Sequence, residues 1–134
     1  MTKRIRRRWY LHGLLYDLLL EWMLRSIKKK VALLIAAGEL YPVLDVCCGT
    51  GRQCRFLAGR GKPVFGLDIN LRLMNYAHSR HPQISFICAD ASRIPFSPSS
   101  LKGIVISFAL HEKPLETRPQ ILTEAKTLLR PGGR

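Results

Sequence analysis

Two hydrophobic rhythms follow one another along the chain. Leu11, Leu14, Leu15, Leu18 and Trp22 recur at i, i+3, i+4, i+7 and i+11, the spacing of one helical face. Leu19, Leu20, Met23, Leu24 and Ile27 widen that face beyond a half-cylinder, against a narrow polar stripe of Asp17, Glu21, Arg25 and Lys28. Glu21 and Arg25 stand in the favourable i,i+4 order. A helix this apolar wants cover on most of its surface, from the rest of the fold, a partner or a lipid headgroup layer. After Lys28-Lys29-Lys30 the helical pattern continues through Val31–Ala37 until Gly38 stops it.

Beyond Tyr41-Pro42 the period changes. Val43–Val46 reads as a buried strand entering the turn Cys47-Cys48-Gly49-Thr50-Gly51. A short helix over Arg52–Ala58, closed by Gly59 and Gly61, leads to a strand over Pro63–Asp68. A helix over Leu71–His78 and a strand over Ile84–Asp90 follow, then a Ser- and Pro-rich loop, Ala91–Ser100. The spacing predicts a fourth strand over Ile104–Leu110 and a helix over Arg118–Arg130, with Pro131-Gly132-Gly133 as its stop. Continuous apolar strands alternating with helices predict an α/β fold with a doubly wound parallel sheet. The expected division is a basic helical segment over 1–40 and a sheet domain over 41–134.

Composition narrows the class. The chain has 134 residues, 47% hydrophobic and 23% charged, which excludes a disordered or collagen-like chain and a multi-pass membrane protein. Net charge is +13. Residues 1–30 carry nine of the basic side chains (Lys3, Arg4, Arg6, Arg7, Arg8, Arg25, Lys28, Lys29, Lys30) and only two acids. Such a segment suits anionic lipid, nucleic acid or an acidic partner, or is simply a solvated face. Its basic-then-apolar order imitates a signal peptide, and Arg7-Arg8 echoes a twin-arginine signal. But His12, Asp17 and Glu21 interrupt the apolar run, no small-residue cleavage site follows, and a membrane span fails on length. Cys47, Cys48, Cys54 and Cys88 show no C-x-x-C spacing and have no His cluster, so no metal site is expected. Cys47, Cys48 and Cys88, in or beside apolar runs, read as packed thiols of a reducing interior, with a cytoplasmic, optionally membrane-associated, location expected.

In doubly wound sheets ligands bind outside the carboxyl ends of the strands. Four features fall at those ends: the turn 47–51, Asp68, Asp90 and the stretch Phe108 to Glu112. Gly49-Thr50-Gly51 lets the backbone pass close to a ligand, and the following helix offers free N–H groups to an anion. Asp68 lies 17 residues past Gly51, near the spacing at which an acid grips ribose hydroxyls. Asp90 can accept from an adenine amino group. Taken singly, each is equally a turn glycine or a capping Asp; the convergence of all four is what argues for a nucleoside site. A nicotinamide fingerprint fails, because Cys47 and Arg52 stand where glycines are needed, and no Walker Gly-Lys-Ser/Thr exists. His111 beside Glu112 is the candidate acid–base or substrate-contact residue.

Val43-Leu44-Asp45-Val46-Cys47-Cys48-Gly49-Thr50-Gly51 resembles motif I of the class I S-adenosylmethionine-dependent methyltransferases, a Rossmann-like family. The resemblance extends through GLDIN at 66–70, CADASRIPF at 88–96, SFALHE at 107–112 and LLRPGG at 128–133, and is nearest the small-molecule and ubiquinone/menaquinone-type members. It implies S-adenosyl-L-methionine as cofactor. Asp45, Cys47, Gly49, Thr50 and Gly51 would line its methionine end, and Asp68 would hold the ribose. Asp90 and Ala91 would hold the adenine, with Ile69 packed on its face and Phe108 beside the methyl-donor end. The implied acceptor is a small or lipid-like molecule. RNA, or a truncated non-catalytic cofactor-binding or partner subunit, are the alternatives.

Two departures stand out. Lys102 replaces an acid usual before Gly103. The chain stops at Arg134, where the family continues into a fifth strand, so the expected sheet is incomplete at its C-terminal end. Its fourth strand would be an exposed edge open to a homodimer or partner chain.

Overall fold

A computed structural model describes Leu19, residues 22–59 and residues 61–134. The chain divides into two compact units, Met1–Val31 and Ala32–Arg134. The first part of the helix expected from Leu11 onward, and most of the basic arm, lie outside the described residues. Residues 22–37 form helix α1. Among the described residues no helix is long and apolar enough to cross a membrane.

The second unit is built on four parallel strands: β1 (Val43–Val46), β2 (Val64–Asp68), β3 (Ser85–Cys88) and β4 (Gly103–Ile106). Their spatial order is β3-β2-β1-β4, so β1 is central and the chain turns outward in both directions from it. Helices α2 (Arg52–Leu57), α3 (Leu71–Arg80) and α4 (Arg118–Leu128) make the connections and covers. This is the doubly wound arrangement that the alternating pattern predicts.

The period-two geometry of β1 sorts its side chains between the two faces. Leu44 and Val46 join Leu67, Ile94, Ile121 and Leu128 in the main core, where Phe65 meets Phe96 edge-on at 5.1 Å. Asp45, on the other face, takes the Cys54 thiol of α2 as a donor at 3.4 Å. The Tyr41 hydroxyl donates to the Leu57 carbonyl at 2.9 Å, tying the end of α2 to the entry of β1.

Two strands are shorter than their apolar runs predict. β3 ends at Cys88 rather than Asp90, because its partner β2 ends at Asp68, opposite Cys88. β4 spans Gly103–Ile106 rather than Ile104–Leu110: its partner β1 ends opposite Ile106, and Cys47 then leaves the sheet with φ +58°. Phe108 also turns left-handed, at φ +57°, and a 3-10 turn follows at Leu110–Glu112. α4 stops at Leu128, two residues early, because Leu129 turns extended and bridges to Leu101.

The outer edge of β4 is less open than the sequence suggests. Arg134 donates its N–H to the Lys102 carbonyl at 3.0 Å and accepts from the Ile104 N–H at 2.9 Å. The start of that edge is thus already paired within the chain.

Gly103 permits β4 to close on the segment before β1. A Cβ there would sit 2.6 Å from the Leu40 carbonyl oxygen and 3.1 Å from Val43 Cγ2. Backbone cannot swing aside as a side-chain tip can. Gly103→Ala is therefore expected to lower unfolding free energy by about 1–3 kcal/mol, read as an earlier midpoint in urea denaturation.

Candidate functional site

The turn after β1 is held by its neighbour strand. The Cys48 N–H donates to the Leu67 carbonyl at 2.9 Å, and the Gly49 N–H donates to the Asp68 carboxylate at 3.0 Å. The other Asp68 oxygen accepts from the Asn70 N–H at 3.0 Å. Asn70 in turn caps α3, accepting from Arg72 and Leu73 N–H groups. One carboxylate thereby fixes both the glycine turn and the entry to the next helix. The backbone carbonyl of Asp68 also accepts from Ala89 at 3.0 Å, which brings Asp90 alongside.

The two glycines of the turn serve different needs. Gly49 lies at φ +55°, and a Cβ there would meet nothing within 4 Å, so the space beside it is open to a ligand. Gly51, at φ +77°, is backed by the Phe86 ring, which a Cβ would approach to 2.7 Å. Gly66 on β2 gives that ring the same clearance, so Phe86 fills a slot left by two missing side chains.

A cavity of about 180 Å³ opens beside this turn. Cys47, Leu67, Ile69 and Ala89 form its sheet side; Asp90, Ala91 and Ser92 form a second wall. Lys113, Pro114, Thr117 and Ile121 close it from the segment that leads into α4. The loop carrying Ala91 is pinned to α4 by the Ile94 N–H donating to Glu124 at 2.9 Å.

Among the residues singled out from sequence, Cys47, Ile69, Asp90 and Ala91 share the cavity lining. Gly49 and Asp68 join each other at its edge, one residue from Ile69. Asp45 is buried beneath the turn on Cys54 rather than facing the cavity. Thr50 and Gly51 belong to the turn, and Phe108 stands half-exposed after β4. His111 is exposed, 3.9 Å from an equally exposed Glu112, and neither lines the cavity. A pair this solvated contributes little. Lys113, Pro114 and Thr117 escaped the sequence reading, because only the return of the chain over the sheet puts them there. The proline directly after the 3-10 turn was the one local sign of that return.

Electrostatics distinguish the site's titratable groups. Asp90 is held below the usual carboxylate range by the Ser92 N–H and hydroxyl, both donating to it at 2.8 Å; Lys113 adds to this and slight burial opposes it. Burial pushes the Cys47 thiol up, with Lys113 opposing and Asp68 and Asp45 reinforcing. The Cys54 thiol is raised strongly by its hydrogen bond with Cys48, by burial and by Asp45, so it stays protonated as a donor. Among the described residues no group of three or more His, Cys, Asp or Glu side chains is placed to hold a metal.

Removing the Asp68 carboxylate leaves the part-buried Gly49 N–H without its partner, while the exposed Asn70 N–H turns to water. Asp68→Ala is expected to destabilise the fold by about 1–3 kcal/mol. The amide of Gly49 should then exchange with solvent faster than the amides of β1, measured by hydrogen exchange.

The sequence profile of a methyltransferase domain matches residues 43–133, the whole sheet unit from β1 onward. A 2-phytyl-1,4-naphtoquinone methyltransferase of Thermosynechococcus vestitus is 41% identical over 97 residues, covering 68% of this chain and 42% of that protein. A demethylmenaquinone methyltransferase of Renibacterium salmoninarum is 31% identical over 118 residues, covering 88% of this chain and 49% of that protein. The chain thus spans less than half the length of either relative. Among solved structures, the PH0226 protein of Pyrococcus horikoshii superposes with a TM-score of 0.64 at 27% identity, covering 81% of this chain and 53% of that one. A TehB-like SAM-dependent methyltransferase of Corynebacterium glutamicum has the same fold, with a TM-score of 0.68 at 23% identity, over 88% of this chain and 68% of that one. With the glycine turn, Asp68 and Asp90 arranged as described, the chain belongs to the methyltransferase-domain family.

Proposed function

We propose that the sheet unit binds S-adenosyl-L-methionine and that the protein transfers its methyl group to a small, lipid-like acceptor of the quinone type. The observation that carries this reading is the carboxylate of Asp68, braced on the Gly49 N–H at 3.0 Å beside a cavity walled by Asp90 and Ala91.

The residues fit the cofactor's parts. A carboxylate offers about four lone-pair sites. Gly49 and Asn70 use one on each Asp68 oxygen, leaving each oxygen a further site for a pair of neighbouring hydroxyls. Asp90 spends one oxygen on Ser92, and its second suits an amino group. Ala91 and Ala89 are small, and Ile69 gives a flat heterocycle an apolar face. The cavity is smaller than the roughly 300–1,000 Å³ that encloses a whole drug-sized ligand. It therefore holds the adenosine end, with the amino-acid end running along the open side of Gly49.

Bound there, S-adenosyl-L-methionine supplies a methyl group on a sulfonium, a leaving group good enough that transfer depends on alignment and exclusion of water. The chain's work is thus mainly positioning. Phe108 and Leu115 are exposed apolar side chains on the segment after β4, and they favour an apolar acceptor over a polar one. The relatives named for quinone acceptors point the same way. His111, outside the cavity lining, has no part in donor binding.

Titration calorimetry should give one-to-one binding of S-adenosyl-L-methionine and of S-adenosylhomocysteine. Asp90→Ala should weaken both by roughly tenfold, while His111→Ala leaves both unchanged. A wild-type chain that binds neither ligand contradicts the reading. Transfer of a labelled methyl group to a demethylated naphthoquinol, and not to RNA, tests the acceptor class.

Thiol chemistry offers an independent check. Cys88 is exposed and Cys54 is buried. N-ethylmaleimide should modify Cys88 first and Cys54 only on unfolding. Bound S-adenosylhomocysteine should slow modification of Cys47 alone.

A further inference from the structure

Among the described residues, the N-terminal half of helix α1 carries an exposed apolar face. Trp22 is 71% exposed, Leu19 67%, Met23 50% and Ile27 39%. At 3.6 residues per turn these four fall within an arc of about 140°. Leu24 and Val31, which fall outside this arc, are half-buried.

The cations are placed around the same face. Arg25 and Lys29 run along one flank of it, and Lys30 continues its line one turn beyond Ile27; all three are exposed. No acid stands between Glu21 and Glu39. A long lysine stem can lie along apolar surface while its ammonium reaches outward. Tryptophan prefers the headgroup boundary, where its ring is apolar and its N–H stays wet.

We propose that this face docks on the surface of an anionic lipid bilayer, with Leu19, Trp22, Met23 and Ile27 entering the headgroup boundary and Arg25, Lys29 and Lys30 meeting lipid phosphates. An apolar stripe with a basic border is what such a surface selects. A second copy of the chain suits the face poorly, because two such faces in contact would bring their cations together. Nucleic acid suits it poorly as well, since the patch presents mainly apolar side chains and few cations. The inference does not rest on the methyl-transfer reading: docking needs neither donor nor acceptor.

The test uses the full chain and its two tryptophans, Trp9 and Trp22. In a Trp9→Phe variant all indole emission comes from Trp22. Vesicles of phosphatidylcholine with 30% phosphatidylglycerol (the composition to be used, roughly that of a moderately anionic leaflet) should shift this emission to the blue and sediment the protein. Pure phosphatidylcholine should do neither. Lys29→Gln with Lys30→Gln should lower partitioning roughly 30-fold, at about a fivefold loss per lysine. Trp22→Ser with Met23→Ser should abolish the sedimentation while the circular dichroism spectrum is retained.

Three results would overturn the proposal. One is no binding to anionic vesicles. Another is equal binding to both vesicle types, unchanged in the lysine variant. The third is a Trp22 shift that appears with protein concentration alone and tracks dimer mass in light scattering. None of these would alter the calorimetric result for S-adenosylhomocysteine, so failure here and failure of donor binding are separable.

Discussion

One hydrogen bond sets the geometry on which the site depends, the 3.0 Å contact from the Gly49 N–H to the Asp68 carboxylate. It joins the ends of two adjacent parallel strands at the point where both leave the sheet. A lone carboxylate at a strand end costs desolvation unless donors meet it. Here two backbone N–H groups do so, and the residue that supplies the second, Asn70, caps α3 with its side chain. The arrangement fixes the turn, aims the carboxylate and starts the helix in one stroke. Glycine at 49 follows from it: φ is +55°, and the space on its Cβ side is left open.

Packing supplies the remaining rigidity. Phe86 of β3 lies over Gly66 and against Gly51, so the far side of the turn is backed by an aromatic ring. Asp45 and Cys54 close the polar group beneath it. On the other face of the sheet, Leu44, Val46 and Leu67 pack against Ile121 and Leu128, which sets α4 and places Thr117 and Lys113 at the cavity. The left-handed backbone at Cys47 and Phe108, neither of them glycine, marks the two strand ends that flank the site. Such conformations persist where surrounding contacts over-determine them.

Much of this was legible in the sequence, for a definite reason. Each of the first three apolar runs leads within a few residues to glycine or aspartate, and period and composition change near those points. The parallel sheet, the turn and the order of the acids follow from that agreement. Strand length did not follow. The apolar runs ISFICAD and IVISFAL are longer than the pairing available to them, because β1 and β2 end first. Hydrophobicity records burial, and Ala91 and Ala109 are buried without being strand. Lys113 and Thr117 were invisible for another reason: their place at the cavity is set by the long-range return of α4. The separate duties of Gly49 and Gly51 needed the position of Phe86.

The proposal stands on the turn at 47–50, the β2 end at 68–70 and the loop at 90–92 acting as a single adenosine-binding surface. Backbone amide chemical shifts on adding S-adenosylhomocysteine test it most directly. The large perturbations are predicted to gather in those three segments and in 113–121, with the amides at the far end of α4, Ala125 to Leu128, unmoved. Perturbations centred elsewhere on the chain, or none at saturating ligand, would contradict it.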